Sequence, residues 1–264
     1  NAQSTLTFEG AAGTTQSYSN AVTGATTFAG QLVKDGGGTW IIDSGELRGA
    51  IDTSINAGSL RATQMLSGDV GVNALGSLVG VPGVAGSLSN AGTVVVFGSD
   101  TKVSDNYSQA STGMLAVSLG SKLDVTGTAT LNGGTLEVTG ADSGYVSNNH
   151  TDVLTATGGV SGTFDQLVKD SGVVFTSSTI NYTANSVWLD TTGLNVTTAA
   201  AGNGVSYTPA SMGSAQRVQG AFDQLDASIA AGNRSGVSSD FLQDAGQFQQ
   251  SPNLLAAQAS LESL

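Results

Sequence analysis

The 264-residue chain carries 37 glycines, no cysteine and only 11% charged residues, with eight Lys and Arg against twenty Asp and Glu for a net charge of −12. The missing cysteine excludes disulfides, thiolate metal sites and a cysteine nucleophile, and the acidic balance disfavours nucleic acid and anionic membrane surfaces as partners. Hydrophobic residues, at 39%, are sufficient for a core, but the surface has to be built from hydroxyl and amide groups rather than charges.

In chain order, Asn1 opens no basic-then-apolar segment of the kind a signal peptide has, so the chain reads as an internal fragment. From Gln31 to Asp190, short β-rich pieces alternate with Gly, Asn and Ser punctuation, as stacked strands and turns require. Thr39–Ile42, Thr93–Phe97, Lys122–Val125 and Thr135–Val138 are examples. In the last two, Leu123 with Val125 and Leu136 with Val138 share one face, while Asp124 and Glu137 take the other. The most apolar run, Leu78 to Ala85, falls well short of the roughly 20 residues a membrane helix needs, so no membrane-spanning helix is expected.

A degenerate phrase recurs where these strands begin: Asn56-Ala57-Gly58-Ser59-Leu60, Ala74-Leu75-Gly76-Ser77-Leu78, Ala85-Gly86-Ser87-Leu88, Leu119-Gly120-Ser121-Lys122-Leu123 and Asn132-Gly133-Gly134-Thr135-Leu136. Its Gly and Asn are expected to take the left-handed backbone of a tight corner, and its Leu to re-enter the core. Such units can close as a sandwich, a barrel or a solenoid. Strands of three to five residues are short for a sandwich, and many turns lack the two-residue hairpin signature, which favours the solenoid. The expected fold is all-β, with a parallel β-helix over residues 1–150.

A stack of this kind leaves strand edges that need covering, and residues 151–195 supply a cap. Val173-Val174-Phe175, Ile180-Asn181-Tyr182 and Val187-Trp188-Leu189 are more aromatic, and the turn at Thr183-Ala184-Asn185-Ser186 predicts an antiparallel β-hairpin. Residues 196–264 form a linker, clearest from Ala200 to Gly213, followed by an α-helical tail. Val218, Phe222, Leu225 and Ile229 form one helical stripe. A second helix is predicted near Phe241 to Phe248, and a third is opened by Ser251 and Pro252 with Leu254, Leu261 and Leu264 on a broad face.

These residues resemble a known family, the bacterial autotransporters. Leu32-Val33-Lys34 through Ile41, followed by Ile55-Asn56-Ala57-Gly58-Ser59-Leu60, is similar to the passenger-associated repeat, in which a Lys precedes a Gly-rich turn and an apolar strand. The run from Gly113 through Lys122-Leu123-Asp124-Val125 and Gly133-Gly134-Thr135-Leu136 to Val160-Ser161-Gly162-Thr163-Phe164 resembles the end of the passenger β-helix, called the autochaperone. Ser214 to Asp226 and Ala256 to Leu264 look like the junction before the translocator barrel, most as in the subtilisin-like serine-protease autotransporters. The resemblance implies a right-handed β-helix, a folding role, location at the cell surface or outside the cell by way of the outer membrane, and partners in the chain's own translocator β-barrel and upstream passenger domain. The chain departs from the family in carrying neither a catalytic domain nor the barrel.

Chemistry finds little purchase in the sequence. His150, the only histidine, sits in the polar stretch Ser147-Asn148-Asn149-His150-Thr151-Asp152 without a Gly-x-Ser-x-Gly elbow, and reads as an exposed loop residue rather than part of a Ser-His-Asp triad. Asp124 and Glu137 could in principle flank a glycoside, but strand charges on a wet face need no such role. Trp40 and Trp188 read as core or cap residues. Lys34-Asp35-Gly36-Gly37-Gly38-Thr39 is not the calcium-binding nonapeptide, and the acidic stretch Asp100 to Asp105 offers only adventitious binding. No catalytic, cofactor or metal residue is assigned and no cofactor is expected. The function expected is a non-catalytic stalk that templates passenger folding, with a self-associating or host-binding adhesin as the alternative.

Overall fold

The computed structural model describes residues 4–18, 30–43, 52–147, 149–170, 177–192, 208–231 and 238–249. The fold is all-β in its main body: twenty strands and two helices lie among these residues. The chain divides into two compact units. Residues 1–139, 152–169 and 182–187 make the first, and residues 140–151, 170–181 and 188–264 the second.

In the first unit the strands come in successive sets. β1 (Ser4–Glu9) and β2 (Thr15–Tyr18) are followed by β3 (Gly30–Asp35) and β4 (Thr39–Ile42). The long β5 (Asp52–Ala62) and β6 (Val70–Val79) each run through a corner and serve as two strands in one. The first half of β5 pairs with β3 and its second half with β4, and β6 bends in the same way.

Three full sets follow. They are β7 (Gly83–Val84), β8 (Leu88–Asn90) and β9 (Thr93–Val96); β10 (Thr101–Val103), β11 (Tyr107–Gln109) and β12 (Met114–Leu119); and β13 (Leu123–Val125), β14 (Thr128–Asn132) and β15 (Thr135–Ala141). A last set comprises β16 (Asn149–Ala156), β17 (Gly159–Thr163) and β18 (Gln166–Lys169). Each strand pairs with the corresponding strand of the next set, and the registers are parallel throughout β7–β10–β13–β16, β8–β11–β14–β17 and β9–β12. The repeat is irregular in length because insertions fall between strands, such as residues 142–148 between β15 and β16.

Register converts the period-2 pattern into columns. Trp40, Leu60, Leu78, Val94 and Leu115 stand in one, and all but Trp40 are buried. Val84, Val103, Val125 and Ala156 make a second buried column. Leu123–Val125 and Leu136–Val138 point their apolar residues inward as expected, with Asp124 and Glu137 half-buried on the other face. Each fully buried Leu or Val contributes roughly 1.5–3 kcal/mol, which offsets the ordering of the short strands that carry them.

The strand order β19-β20-β16-β13-β10-β7 closes one ladder with β19 (Ser177–Tyr182) and β20 (Ser186–Thr192). The three-residue connection between them permits only an antiparallel pair, so the expected hairpin is present; Thr183 and Ser186 tie its turn together. β20 also runs back along β16, because Ala156 N bonds Asn185 O near one end while His150 meets Asp190 near the other. The strand Val173-Val174-Phe175 lies outside the described residues.

In the second unit, α1 (Pro209–Ala230) and α2 (Ser239–Gln249) pack around Tyr145. Ala215, Phe222, Leu225 and Leu242 are buried with it, and Val218, Ile229 and Ala245 pack alongside, which is the stripe read from the sequence. The Tyr145 hydroxyl donates to the buried Asp226 at 3.0 Å, and burial together with that carboxylate pushes the phenol's pKa above its ordinary value. The first helix starts earlier than expected. Pro209 suits a first helical position, so residues 209–213, read as linker, belong to α1. The third predicted helix lies outside the described residues.

Candidate functional site

The most specific construction among the described residues is the corner that lies within β5 and β6 and between the second and third strands of each three-strand set. A Cβ on Gly58 would lie 2.4 Å from both Gly36 O and Gly38 O. The same close approach recurs from set to set: Gly76 meets Ile55 O at 2.3 Å, Gly92 meets Gly76 O at 2.4 Å, Gly113 meets Asn90 O at 2.5 Å and Gly134 meets Gly113 O at 2.4 Å. The backbone bonds continue along the same line, from Ser59 N to Gly38 O, Met114 N to Gly92 O, Thr135 N to Gly113 O and Asp165 N to Gly134 O. Three of the five recurring phrases, those holding Gly58, Gly76 and Gly134, place a glycine in this column, whereas Gly86 and Gly120 stand at other corners.

The left-handed backbone expected of the phrase is present at some of its glycines and at none of its asparagines. Among the glycines of the phrase, Gly58, Gly120, Gly133 and Gly134 have positive φ, at 68°, 111°, 95° and 82°, whereas Gly76 and Gly86 do not; nor do Gly92 and Gly113 of the column, and no non-glycine described has one. Asn56 and Asn132 therefore do not take a left-handed backbone. At Gly76, Gly92 and Gly113 glycine is required by the closeness of the preceding carbonyl rather than by its own dihedral angles.

Lys34 completes the first of these corners. It is 0% exposed, and its ammonium donates to Asp35 O at 2.7 Å, Gly36 O at 2.7 Å and Ala57 O at 2.8 Å. All three N–H donors are thus used, and the bond to Ala57 crosses from one set to the next. Burial draws the pKa of this ammonium below its ordinary value, opposed by the charge of Asp35. In the sequence Lys34 stands as part of a repeat and nothing beside it marks it as interior except its phase, since it follows Leu32 by two residues.

The hairpin supplies partners to the last set. Asn185 donates its side-chain amide to Ala156 O at 3.0 Å and Thr157 O at 3.2 Å, Val160 N donates to Ala184 O at 2.7 Å, and Phe164 N donates to the Tyr182 hydroxyl at 3.0 Å. These satisfy backbone groups that the outermost strand would otherwise leave facing water or another chain.

The residues considered for catalysis are not brought into one site. His150 lies on β16 rather than in a loop, at 3.2 Å from Asp190, with the two side chains 58% and 57% exposed. Asp190 also accepts from Asn181 and Trp188, and the His150 and Trp188 rings lie 5.0 Å apart. A pair this open lacks the water-excluded surroundings in which a catalytic dyad gains its strength. Asp124 and Glu137 are on strands of different sheets, and Asp124 instead accepts from Thr155 at 2.8 Å. Trp188 stands half-buried on the hairpin, and Trp40, half-buried, packs on Phe8 with centroids 4.6 Å apart. Asp100 caps Lys122 N. Among the described residues no cluster of three His, Asp or Glu is placed to hold a metal ion, and no helix is long and apolar enough to cross a membrane.

No protein-family model and no curated protein matches the chain.

Proposed function

We propose that the chain is a non-catalytic, right-handed parallel β-helical stalk from a bacterial autotransporter passenger, and that its C-terminal sets template the folding of what precedes them as the passenger emerges through the outer membrane. The observation that carries this reading is the set-by-set parallel pairing from β1 to β18 with a hairpin, reversed in direction, at its C-terminal side. A parallel strand presents a row of N–H and C=O groups on which an identical strand can dock. β20 runs antiparallel to β16, so growth stops on that side and is directed toward the N-terminus. Parallel crossovers are right-handed almost without exception, and burying a new leucine column as each set docks makes outward movement favourable. The stalk in turn supports an upstream effector, for which the resemblance points to a subtilisin-like serine protease. Its partners are that domain and its own translocator barrel, and its location is the cell surface or the medium.

The test is deletion of residues 113–190 from the full-length protein, with surface exposure and protease resistance of the remaining passenger measured. The passenger is expected to reach the surface protease-sensitive. Resistance equal to that of the intact protein would overturn the reading.

One observation favours the adhesin alternative. Ser54, Gly71, Ser89, Ser108, Thr130 and Ser161 stand in register along an outward hydroxyl-rich column, a face suited to pairing with a second copy. Concentration-dependent dimerisation of the purified chain supports self-association along this face, and a strict monomer counts against it.

A further inference from the structure

Aliphatic stacking by itself does not say which set belongs beside which. Leu60, Leu78, Val94 and Leu115 occupy one column and Val84, Val103 and Val125 another, and side chains so similar in volume accept one another's neighbours at little cost. A set docked one step out of place would still bury its leucines. Slippage of this kind is the expected fault of a repetitive parallel stack.

One column is different. Lys34, Ile55, Val72, Asn90, Gln109 and Leu131 are register partners in succession, and all are buried although three are polar or charged. Asn90 Nδ2 directs its two N–H groups to Gln109 Oε1 and Met114 O, each at 2.9 Å, with the Tyr107 hydroxyl 3.3 Å away sharing one of them, and that hydroxyl donates to Gln109 Oε1. The Met114 carbonyl fixes the direction of the Asn90 amide, because the reversed amide would set oxygen against oxygen.

The cluster is not fully satisfied: Asn90 Oδ1 and Gln109 Nε2 are buried without a partner. An apolar filling would serve stability at least as well. Its advantage lies in discrimination.

We infer that Asn90, Tyr107 and Gln109 are a register key, positioning residues that admit β11, and no other strand of the repeat, beside β8. With β14 in that seat, Leu131 would face Asn90 and Ala129 would face Leu88. The Asn90 amide would then lose both side-chain acceptors that β11 offers it, Gln109 Oε1 and the Tyr107 hydroxyl, and Gln109 Oε1 would keep only the hydroxyl of its own strand. This inference rests on the set-by-set stacking of the proposed function but not on secretion.

The full chain contains no cysteine, so introduced cysteines report register without background. Ser89 and Ser108 are exposed register partners, and Thr130 stands one set further on; neighbouring parallel strands are close enough for a disulfide. The purified chain is unfolded in urea and refolded under oxidation as S89C/S108C, the native pair, and as S89C/T130C, the slipped pair. The native cross-link is expected to dominate. Adding N90L, Y107F and Q109L is expected to leave the β-sheet spectrum and unfolding midpoint in place while the slipped cross-link rises about tenfold. An unchanged slipped yield overturns the inference. Loss of the β-sheet spectrum in the triple variant overturns it equally, since the cluster would then serve stability rather than register. If the native pair fails to cross-link in either background, the stacking itself is wrong, an outcome distinct from a failed key.

Discussion

Replacing Gly76 by alanine tests the corner directly. The added methyl would lie 2.3 Å from Ile55 O, 2.9 Å from Ile55 Cγ2 and 3.0 Å from Ile55 C, roughly 1 Å inside an ordinary carbon contact. Ile55 has no room to retreat, because its strand is paired with Lys34 on one side and Val72 on the other. Gly76 has no positive φ, so the cost is steric. Overpacking of this degree costs about 1–3 kcal/mol, against a gain of about 0.4–1 kcal/mol from the stiffer unfolded chain, and the corner's rigidity places the net loss near 2 kcal/mol. Gly220, inside α1, is the control: its methyl would meet nothing within 4 Å, so alanine there is expected to stabilise the helix by about 0.8–1 kcal/mol. Urea unfolding followed by far-UV circular dichroism resolves both, since 2 kcal/mol moves a midpoint by roughly 1 M. A midpoint for G76A equal to or above that of the parent would refute the close approach of successive corners.

Three further outcomes follow from the same geometry. Lys34→Met keeps the side-chain volume but removes three charge-assisted bonds, partly repaid by relief of ammonium desolvation. A loss of about 2–4 kcal/mol is expected by urea unfolding; an unchanged midpoint would show that the three carbonyls find other donors. Burial raises the Tyr107 pKa well above the ordinary value near 10, so above that pH the unfolded chain releases a proton that the folded chain keeps. Stability must fall there by up to about 1.4 kcal/mol per pH unit, and the wild type should show this extra slope relative to Y107F between pH 9.5 and roughly 11. Parallel slopes would contradict it. Asn185→Ala removes both bonds to Ala156 O and Thr157 O and is expected to cost about 1–2 kcal/mol and to speed amide hydrogen exchange in β17; unchanged exchange would show that the hairpin does not protect that strand.

What could be read in the sequence was what depends on neighbours along the chain. Leu123-Asp124-Val125 and Leu136-Glu137-Val138 alternate as written, and the stripe Val218, Phe222, Leu225 and Ile229 faces a core. The hairpin turn at Thr183 to Ser186 declared itself by its residues. The recurrence of the Gly-Ser-Leu phrase was visible, but its cause was not: whether a glycine answers a dihedral angle or a neighbouring carbonyl depends on a strand some twenty residues away. The same limit hid the interior. Leu88-Ser89-Asn90 and Tyr107-Ser108-Gln109 place an amide in the buried phase, and only pairing one strand against the other shows that the Asn90 amide donates to Gln109 Oε1. Tyr145 and Asp226, 81 residues apart, leave no local trace at all.

Directional growth from the hairpin outward is the claim on which the functional account depends, and pulsed hydrogen exchange during refolding of the whole chain measures it most directly. Amides of β13 to β18 should become protected first, β8 to β12 next and β3 to β6 last. Protection that appears everywhere at once, or that begins at β3, would contradict templated addition from the C-terminal sets.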